Sequence, residues 1–471
     1  MSHIHLVGIG GTGLSAIATV LRQQHNIVSG SDMHESERTA RLRALGATVY
    51  IGHRAENITA PDAVVVSSAI PADNPEIAAA RAKGIPVFKR PAWLGQMMTG
   101  TRGIAIAGAH GKTTTTAMVA LVMSRANLSP TFIVGSFIPQ LETNAAAGNG
   151  DWFIIEADEY DHTFLSLKPE LAIITNIERD HPDTYPTDES LYRAFVQFAE
   201  LIPPHGAVLA CGDDPGVQHI LPQLSAAETY GTGEKNRWRA ANVAANEFGG
   251  FTFEPMRDGV PVAPKIALRV PGMHNVQNAL AALAVCLKAG VAPKTAAETL
   301  ATFTGTARRF ELKGERRGIT VIDDYAHNPT ELRATLAAAR ARFGKRHIWA
   351  VFQPHTFSRT KLLRHKFAAA FGNADHVILL DIYPAREKDD GTISSADILT
   401  DMDHPDARYL PGAPAHAADF LLAHLSPGDV LITLGAGDGY RVGEMVLDGL
   451  NRGWDDGRQE KRQRKIAKGR P

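Results

Sequence analysis

The chain is 471 residues long, more than one hydrophobic core serves, and its length favours about three domains. Its 49 Lys and Arg balance 50 Asp and Glu, so no global field draws in nucleic acid or an anionic membrane, and partners must be recognised locally. No run approaches the ~20 apolar residues of a membrane helix, no secretory pattern opens the chain, and the two cysteines, Cys211 and Cys286, lie far apart in apolar surroundings. The expectation is a protein of the reducing cytoplasm, without membrane insertion, disulfides or a nucleic-acid partner.

In chain order, "IHLVG", "AVVVSSA", "GIAIAG", "WFIIEA", "LAIITNI" and "AVLACG" read as buried strands. Between them, stretches such as "TAMVALVMSRANL" and "LYRAFVQFAELI" read as helices. This alternation predicts an α/β protein with parallel sheets flanked by helices. The pattern restarts near residue 100, where a strand begins at Gly103, and again near 306, where "FTGTARRFELKG" separates a helix from a strand. The expected domains are therefore 1–100, 101–306 and 307–453, followed by a polar, basic tail over 454–471 expected to be disordered. Within the central domain, "FTFEPMRDGVPVAPKIALRV" predicts an antiparallel hairpin turning at Asp258-Gly259.

Two glycine loops carry the chemistry. In the first, Gly8, Gly10 and Gly13 fit G-x-G-x-x-G between a strand and a helix, and Asp32 closes the next strand. Backbone amides and a helix N-terminus can face a diphosphate there, with the acid placed for a ribose. The pattern admits a nicotinamide or flavin cofactor, a UDP-sugar, another nucleotide diphosphate, or a tight turn with no ligand.

The second loop, Gly108-Ala109-His110-Gly111-Lys112-Thr113, sets G-K-T at the mouth of a helix, although Ile106 stands where the usual phosphate loop has its first glycine. A lysine there reaches β and γ phosphates and the next hydroxyl can ligate Mg2+. A hydride-transfer enzyme has no use for this loop, whereas a γ-phosphate user does. Downstream, "FIIEADEYD" ends a strand in Glu156, Asp158 and Glu159, and "IITNIERDHPDTY" ends another in Asp180 and His181. Strand ends of a parallel sheet project toward the same crevice, so these groups are candidate metal ligands.

With these motifs in hand, the sequence resembles the Mur ligase family, ATP-dependent enzymes that build the peptide stem of bacterial peptidoglycan. The resemblance covers all but the tail, through "GAHGKTTTT", "EADEYD", "TNIERDHPD", "HNVQNALAAL", "TARRFELKG", "IDDYAHNPTE", "FQPHTFSRT" and "LGAGDG" in that order. It implies a Rossmann-like N-terminal domain, a central P-loop ATPase domain with a parallel sheet plus a small antiparallel sheet, and a Rossmann-like C-terminal domain. The motifs are most similar to the branch that joins L-alanine to UDP-N-acetylmuramate. One loop then holds the acceptor acid and the other the ATP.

By this resemblance, Gly108, Ala109, His110, Gly111, Lys112, Thr113 and Thr114 form the ATP phosphate loop, with Lys112 on the phosphates and Thr113 on Mg2+. Glu156 and His181 match ligands of a second metal, and His274 and Asn278 match the adenine side. Arg309 and Asp324 match residues that close on the nucleotide, while His327 and Arg359 match contacts near the amino acid or transferred phosphate. Gly8, Gly10, Gly11, Gly13, Asp32 and Ser68 would line the UDP pocket. Two positions depart from common patterns: Ala109 replaces a frequent Thr, and Thr356 replaces an Arg found in some L-alanine ligases. The helix after "DHPD" has no lysine of the kind carbamylated in ligases for later stem residues, which favours the L-alanine branch.

The implied reaction activates the sugar carboxylate as an acyl phosphate, which the amine of L-alanine then attacks. His327 is a candidate proton acceptor and Arg359 a bidentate partner for the alanine carboxylate. Because these groups lie in the third domain and the phosphate loop in the second, closure is expected, with Gly305 and Thr306 as hinge candidates. A monomer or homodimer is expected. The alternatives are a murein-recycling ligase that adds a tripeptide to the same sugar nucleotide, an NAD-dependent oxidoreductase, and a catalytically silent nucleotide-binding regulator.

Overall fold

The apolar runs form the strands of three sheets, and the helical patterns cover them. The computed structural model describes residues 1–179, 184–224, 227–385 and 387–451. Asp180 and His181 lie outside the described residues, as does the basic tail 454–471. Met1–Thr306 form one compact unit and the chain from Ala307 onward a second.

In the first unit, β1 (His3–Val7), β2 (Ile27–Asp32), β3 (Thr48–Ile51), β4 (Ala63–Val66) and β5 (Val87–Lys89) pair in parallel in the order β3-β2-β1-β4-β5. The connection reverses direction between β1 and β4, which opens a crevice over their C-terminal ends. Gly8 follows β1 there, and Ser68 follows β4.

The same unit holds β6 (Arg102–Ala107), β7 (Thr131–Ile138), β8 (Thr143–Ala146), β9 (Trp152–Ala157), β10 (Pro169–Ile174), β11 (Ala207–Cys211) and β12 (Ala227–Gly231). Then follow β13 (Trp238–Ala245), β14 (Phe251–Arg257), β15 (Val260–Pro261) and β16 (Ile266–Ala267). The strands from β12 through β11, β10, β6 and β9 to β7 pair in parallel, whereas β8 and the β13–β16 group bring antiparallel pairs. The expected hairpin is β14–β15: Arg257 faces Val260, and Asp258 and Gly259 turn the chain with φ of 50° and 80°. Two consecutive left-handed residues match the twist of the flanking strands. Because β12 also pairs with β13, the antiparallel strands continue the parallel ones in a single mixed sheet of eleven strands.

A continuous apolar cluster runs from Leu6 and Leu14 through Leu94 and Met98 to Phe153, Phe164 and Phe195. The N-terminal and middle sheets thus share a core, at about 25 cal/mol per Å² of apolar surface removed from water. On the other face of the middle sheet, helix Met273–Lys288 is buried from Ala279 to Cys286, its alanines allowing close approach of helix Lys112–Arg125. Both cysteines are free and buried, and burial pushes the Cys211 thiol up to about 12. Among the described residues no helix is long and apolar enough to cross a membrane.

In the second unit, β17 (Glu311–Arg316), β18 (Ile319–Asp324), β19 (Ile348–Phe352), β20 (His376–Leu379), β21 (Ala407–Tyr409) and β22 (Val430–Leu434) form a sheet in the order β17-β18-β22-β19-β20-β21. Only the edge strand β17 runs antiparallel. Every residue of β18, β19 and β22 is buried, as strands covered on both faces require.

Candidate active site

The phosphate loop leaves β6 and enters helix Lys112–Arg125 through backbone that only glycine holds easily. Gly108 has φ 134°, and a Cβ there would meet Thr175 Oγ1 at 2.0 Å. Gly111 has φ 82°, and a Cβ there would meet Asn278 Oδ1 at 2.7 Å. Side chains at the end of β10 brace the loop: His110 N donates to Asn176 Oδ1 at 2.8 Å, and Thr175 Oγ1 donates to the His110 carbonyl at 2.6 Å. The helix N-cap is Gly111, with no side-chain cap and no acid in the first turn, so its amides and dipole favour an anion.

Lys112 is held inside this cradle. Its ammonium donates to the Gly108 carbonyl and to Glu159 Oε2, the latter at 2.8 Å. Burial works against the charge, but Glu159, Asp158 and Glu156 outweigh it and raise the ammonium above its usual range. Beside it, Thr113 Oγ1 donates to Glu156 Oε2 at 3.1 Å, and Gly135 N donates to the other carboxylate oxygen. A hydroxyl and a carboxylate this close, with further carboxylates adjacent, are the hard oxygen donors that Mg2+ takes. The side chain of Asn278, 5% exposed, reaches the loop, and His274 is exposed where the helix begins. Sequence reasoning passed over Asn275, whose Oδ1 accepts from Asn278 Nδ2 at 3.1 Å, although it lies in the same "HNVQN" motif.

The first glycine loop turns at Gly8, with φ 86°, whose amide donates to the Ser31 carbonyl at 2.8 Å. Asp32 Oδ2 accepts from Gly10 N at 2.9 Å, so the acid fixes the loop as well as standing beside it. Gly11 caps helix Thr12–Gln23 without a side-chain bond. A Cβ on Gly13 would meet an Arg90 guanidinium nitrogen at 2.6 Å, and Arg90 also pairs with Asp158 Oδ2 at 3.5 Å. Ser68 Oγ donates to Asp161 Oδ2 at 3.0 Å. The two loops therefore face one crevice, with Arg90 spanning from the first to the acids beside the second. No motif marked Arg90, because its role appears only when the two sheets pack.

The second unit gathers its own cluster. Glu331 pairs with Arg309 at 3.5 Å and with His327 Nδ1 at 3.4 Å, and accepts from His327 N at 3.0 Å. The Arg359 guanidinium lies 3.0 Å from His355 Nδ1, and the His327 and His355 rings are 6.0 Å apart. Thr356 caps helix Phe357–Ala368, its Oγ1 accepting from Arg359 N at 3.4 Å. Asp324 is a latch within this cluster: its carboxylate accepts from Phe310 N at 2.7 Å, Ala326 N at 2.8 Å and Thr335 Oγ1 at 3.3 Å. Burial pushes its carboxyl up to about 6 despite the neighbouring Arg309. Glu331 and His355 were not singled out from sequence, though both lie inside quoted motifs.

Two glycine loops that face one acid-lined crevice at the C-terminal ends of parallel strands are the arrangement of a nucleotide-using α/β enzyme. Family models for the Mur ligase catalytic domain, middle domain and glutamate ligase domain match residues 3–102, 106–286 and 308–437. The chain is 43% identical to a UDP-N-acetylmuramate--L-alanine ligase of Frankia casuarinae, over 95% of this chain and 97% of that one. It is 44% identical to the ligase of the same name from Alkaliphilus metalliredigens, over 95% and 97%. Among solved structures, the UDP-N-acetylmuramate-alanine ligase of Thermotoga maritima superposes with a TM-score of 0.81 at 31% identity, over 96% of this chain and 100% of that one. A murein peptide ligase from Psychrobacter arcticus gives 0.73 at 25%, over 97% and 100%. The chain belongs to the Mur ligase family.

Proposed function

We propose that this protein is an ATP-dependent ligase that joins L-alanine to the lactyl carboxylate of UDP-N-acetylmuramate, in the cytoplasm, as a step of peptidoglycan precursor synthesis. The observation that carries the reading is the pairing of the two loops: a sugar nucleotide on the first and ATP on the second would meet across the crevice that Arg90 spans. The names of the near full-length relatives favour a single amino acid over a peptide as the amine.

A carboxylate is a poor acyl donor. A carboxylate oxygen attacks the γ-phosphorus, the bond to the β–γ bridging oxygen breaks, and an acyl phosphate and ADP form. Lys112, the loop amides and the helix N-terminus neutralise charge on the transferring group, a preorganised electrostatic task. Thr113, Glu156 and His181 would hold Mg2+, which when bound supplies further neutralisation of the phosphate oxygens. The neutral amine of L-alanine then attacks the acyl carbon and inorganic phosphate leaves. Arg359 binds the alanine carboxylate and His327, oriented by Glu331, takes the amine proton. Asn278 serves the nucleotide side of the loop, and Asp324 serves by holding the segment that carries Arg309.

The test is product mass. UDP-N-acetylmuramate incubated with ATP, Mg2+ and L-alanine should gain one alanyl residue, and hydroxylamine in place of the amine should trap the acyl phosphate as a hydroxamate. ADP formation without any change in the sugar nucleotide would contradict the reading.

A further inference from the structure

A third glycine motif, "LGAGDG" after β22, belongs to neither nucleotide loop, and side chains of its own unit pack against it. A Cβ on Gly437 would meet the Tyr383 ring at 2.6 Å, and one on Gly439 would meet Gln353 at 3.0 Å. Both ends of the Gln353 amide are used: it accepts from Gly439 N at 2.8 Å and donates to Asp438 Oδ1 at 2.9 Å. The missing side chains thus let Tyr383 lie against the loop, where its ring stacks on His355 at 5.7 Å and 15°. Backbone bonds join the same two stretches. Tyr383 N donates to the Pro354 carbonyl at 2.8 Å, and Thr356 N donates to the Tyr383 carbonyl at 2.9 Å.

Thr356 is strained by this arrangement. Its φ of 65° with ψ of 145° is backbone that glycine adopts readily and threonine does not, so surrounding contacts must hold it. Glu387 supplies them. Its Oε2 accepts from Ser358 N at 2.9 Å and its Oε1 from the Ser358 hydroxyl, while Phe357 N and the Thr356 hydroxyl donate to the same carboxylate. Burial disfavours the charge, but these four bonds outweigh it and hold the carboxyl below its usual range. With its proton given to Glu387, the Thr356 hydroxyl turns a lone pair to Arg359 N. The Arg359 guanidinium meets His355 Nδ1, which must be the acceptor because a guanidinium only donates. Glu387 also fills the N-terminus of helix Phe357–Ala368, which would otherwise favour a substrate anion.

We propose that Glu387 is a positioning residue for the amine substrate: through Thr356 and Ser358 it holds the Arg359 guanidinium against His355, in place for the substrate carboxylate. The inference rests on the reading that Arg359 binds the alanine carboxylate. It explains why a threonine keeps a backbone conformation suited to glycine, and why an acid occupies a helix N-terminus one turn from the group that must bind an anion.

The test uses the full chain, steady-state kinetics in each substrate, hydroxylamine trapping of the acyl phosphate without L-alanine, and nitrogen NMR of the histidines. Glu387→Gln keeps the shape of the side chain and removes its charge. It should raise the KM for L-alanine about tenfold, while the KM for ATP, the KM for UDP-N-acetylmuramate and the rate of hydroxamate formation stay unchanged. The His355 Nδ1 resonance should move as its contact with Arg359 loosens. Should that variant not fold, Ser358→Ala, which removes one of the four bonds, carries the test with a rise of about threefold. An unchanged alanine KM or an unmoved His355 signal overturns the proposal, and so does an equal fall in hydroxamate formation, which would mark a merely structural role. Arg359→Lys with an unmoved alanine KM overturns the reading of Arg359 and this inference together. An alanine KM that answers to Arg359 and not to Glu387 overturns this inference alone.

Discussion

Lys112 and Glu159 show how one ion pair serves both stability and chemistry at the residue scale. Glu159 is 3% exposed, so replacing the lysine removes the ammonium from a buried carboxylate, a change that typically costs about 3–5 kcal/mol. Lys112→Met should therefore lower the melting temperature as well as reduce kcat by at least ~100-fold. The double variant Lys112→Met, Glu159→Gln should regain much of the melting temperature and none of the activity, which thermal melts and ADP assays on the same samples would resolve. Glu76 makes a different contribution. Burial disfavours its charge, but bonds from His5, Ser31 and Asn57 lower the carboxyl from the ordinary 4.5 to about 2, so its ionised form stabilises the fold above pH 4.5, and that contribution is lost as pH falls toward 2. The shift corresponds to about 3 kcal/mol. Urea unfolding of Glu76→Gln should show a deficit at pH 7 that narrows as the pH drops through this window. Lys112, Thr113 and Glu156 were legible in the sequence because a glycine loop and a strand-end acid carry their own spacing. Arg90, Glu76 and Glu331 were not, since each acquires its role from partners far away in the chain or on a neighbouring turn that only folding brings near.

At the scale of elements, the buried strands were legible from their length and apolar content, and the β14–β15 hairpin from its Asp258-Gly259 turn. Less legible was the pairing of β12 with β13, which joins parallel and antiparallel strands, because strand order depends on which strand edges meet in the folded sheet rather than on any local pattern. The phosphate loop depends on backbone shape at Gly111, where a methyl group would have both a left-handed φ and Asn278 Oδ1 at 2.7 Å to contend with. Gly111→Ala should raise the KM for ATP by more than ~10-fold while leaving UDP binding intact. Calorimetry with each nucleotide separately checks this, and equal losses for both would show that the substitution disturbs the whole unit.

For the whole molecule, the proposed chemistry draws on side chains from both units, the phosphate loop from the first and Arg359 and His327 from the second. We expect catalysis to require movement about the segment near Gly305, whose φ of 100° is one that glycine adopts readily, and Thr306. Small-angle scattering with and without ATP analogue and sugar nucleotide should show a smaller radius of gyration in the ternary state; superimposable curves would rule out closure. The amine is what distinguishes an alanine ligase from a murein peptide ligase, the two kinds of enzyme among the similar solved structures. The most direct measurement is phosphate release from ATP and Mg2+ in the presence of UDP-N-acetylmuramate, comparing L-alanine with L-Ala-γ-D-Glu-meso-diaminopimelate. Turnover with L-alanine and none with the tripeptide is the predicted result; turnover with the tripeptide alone would contradict it and assign the protein to cell-wall recycling.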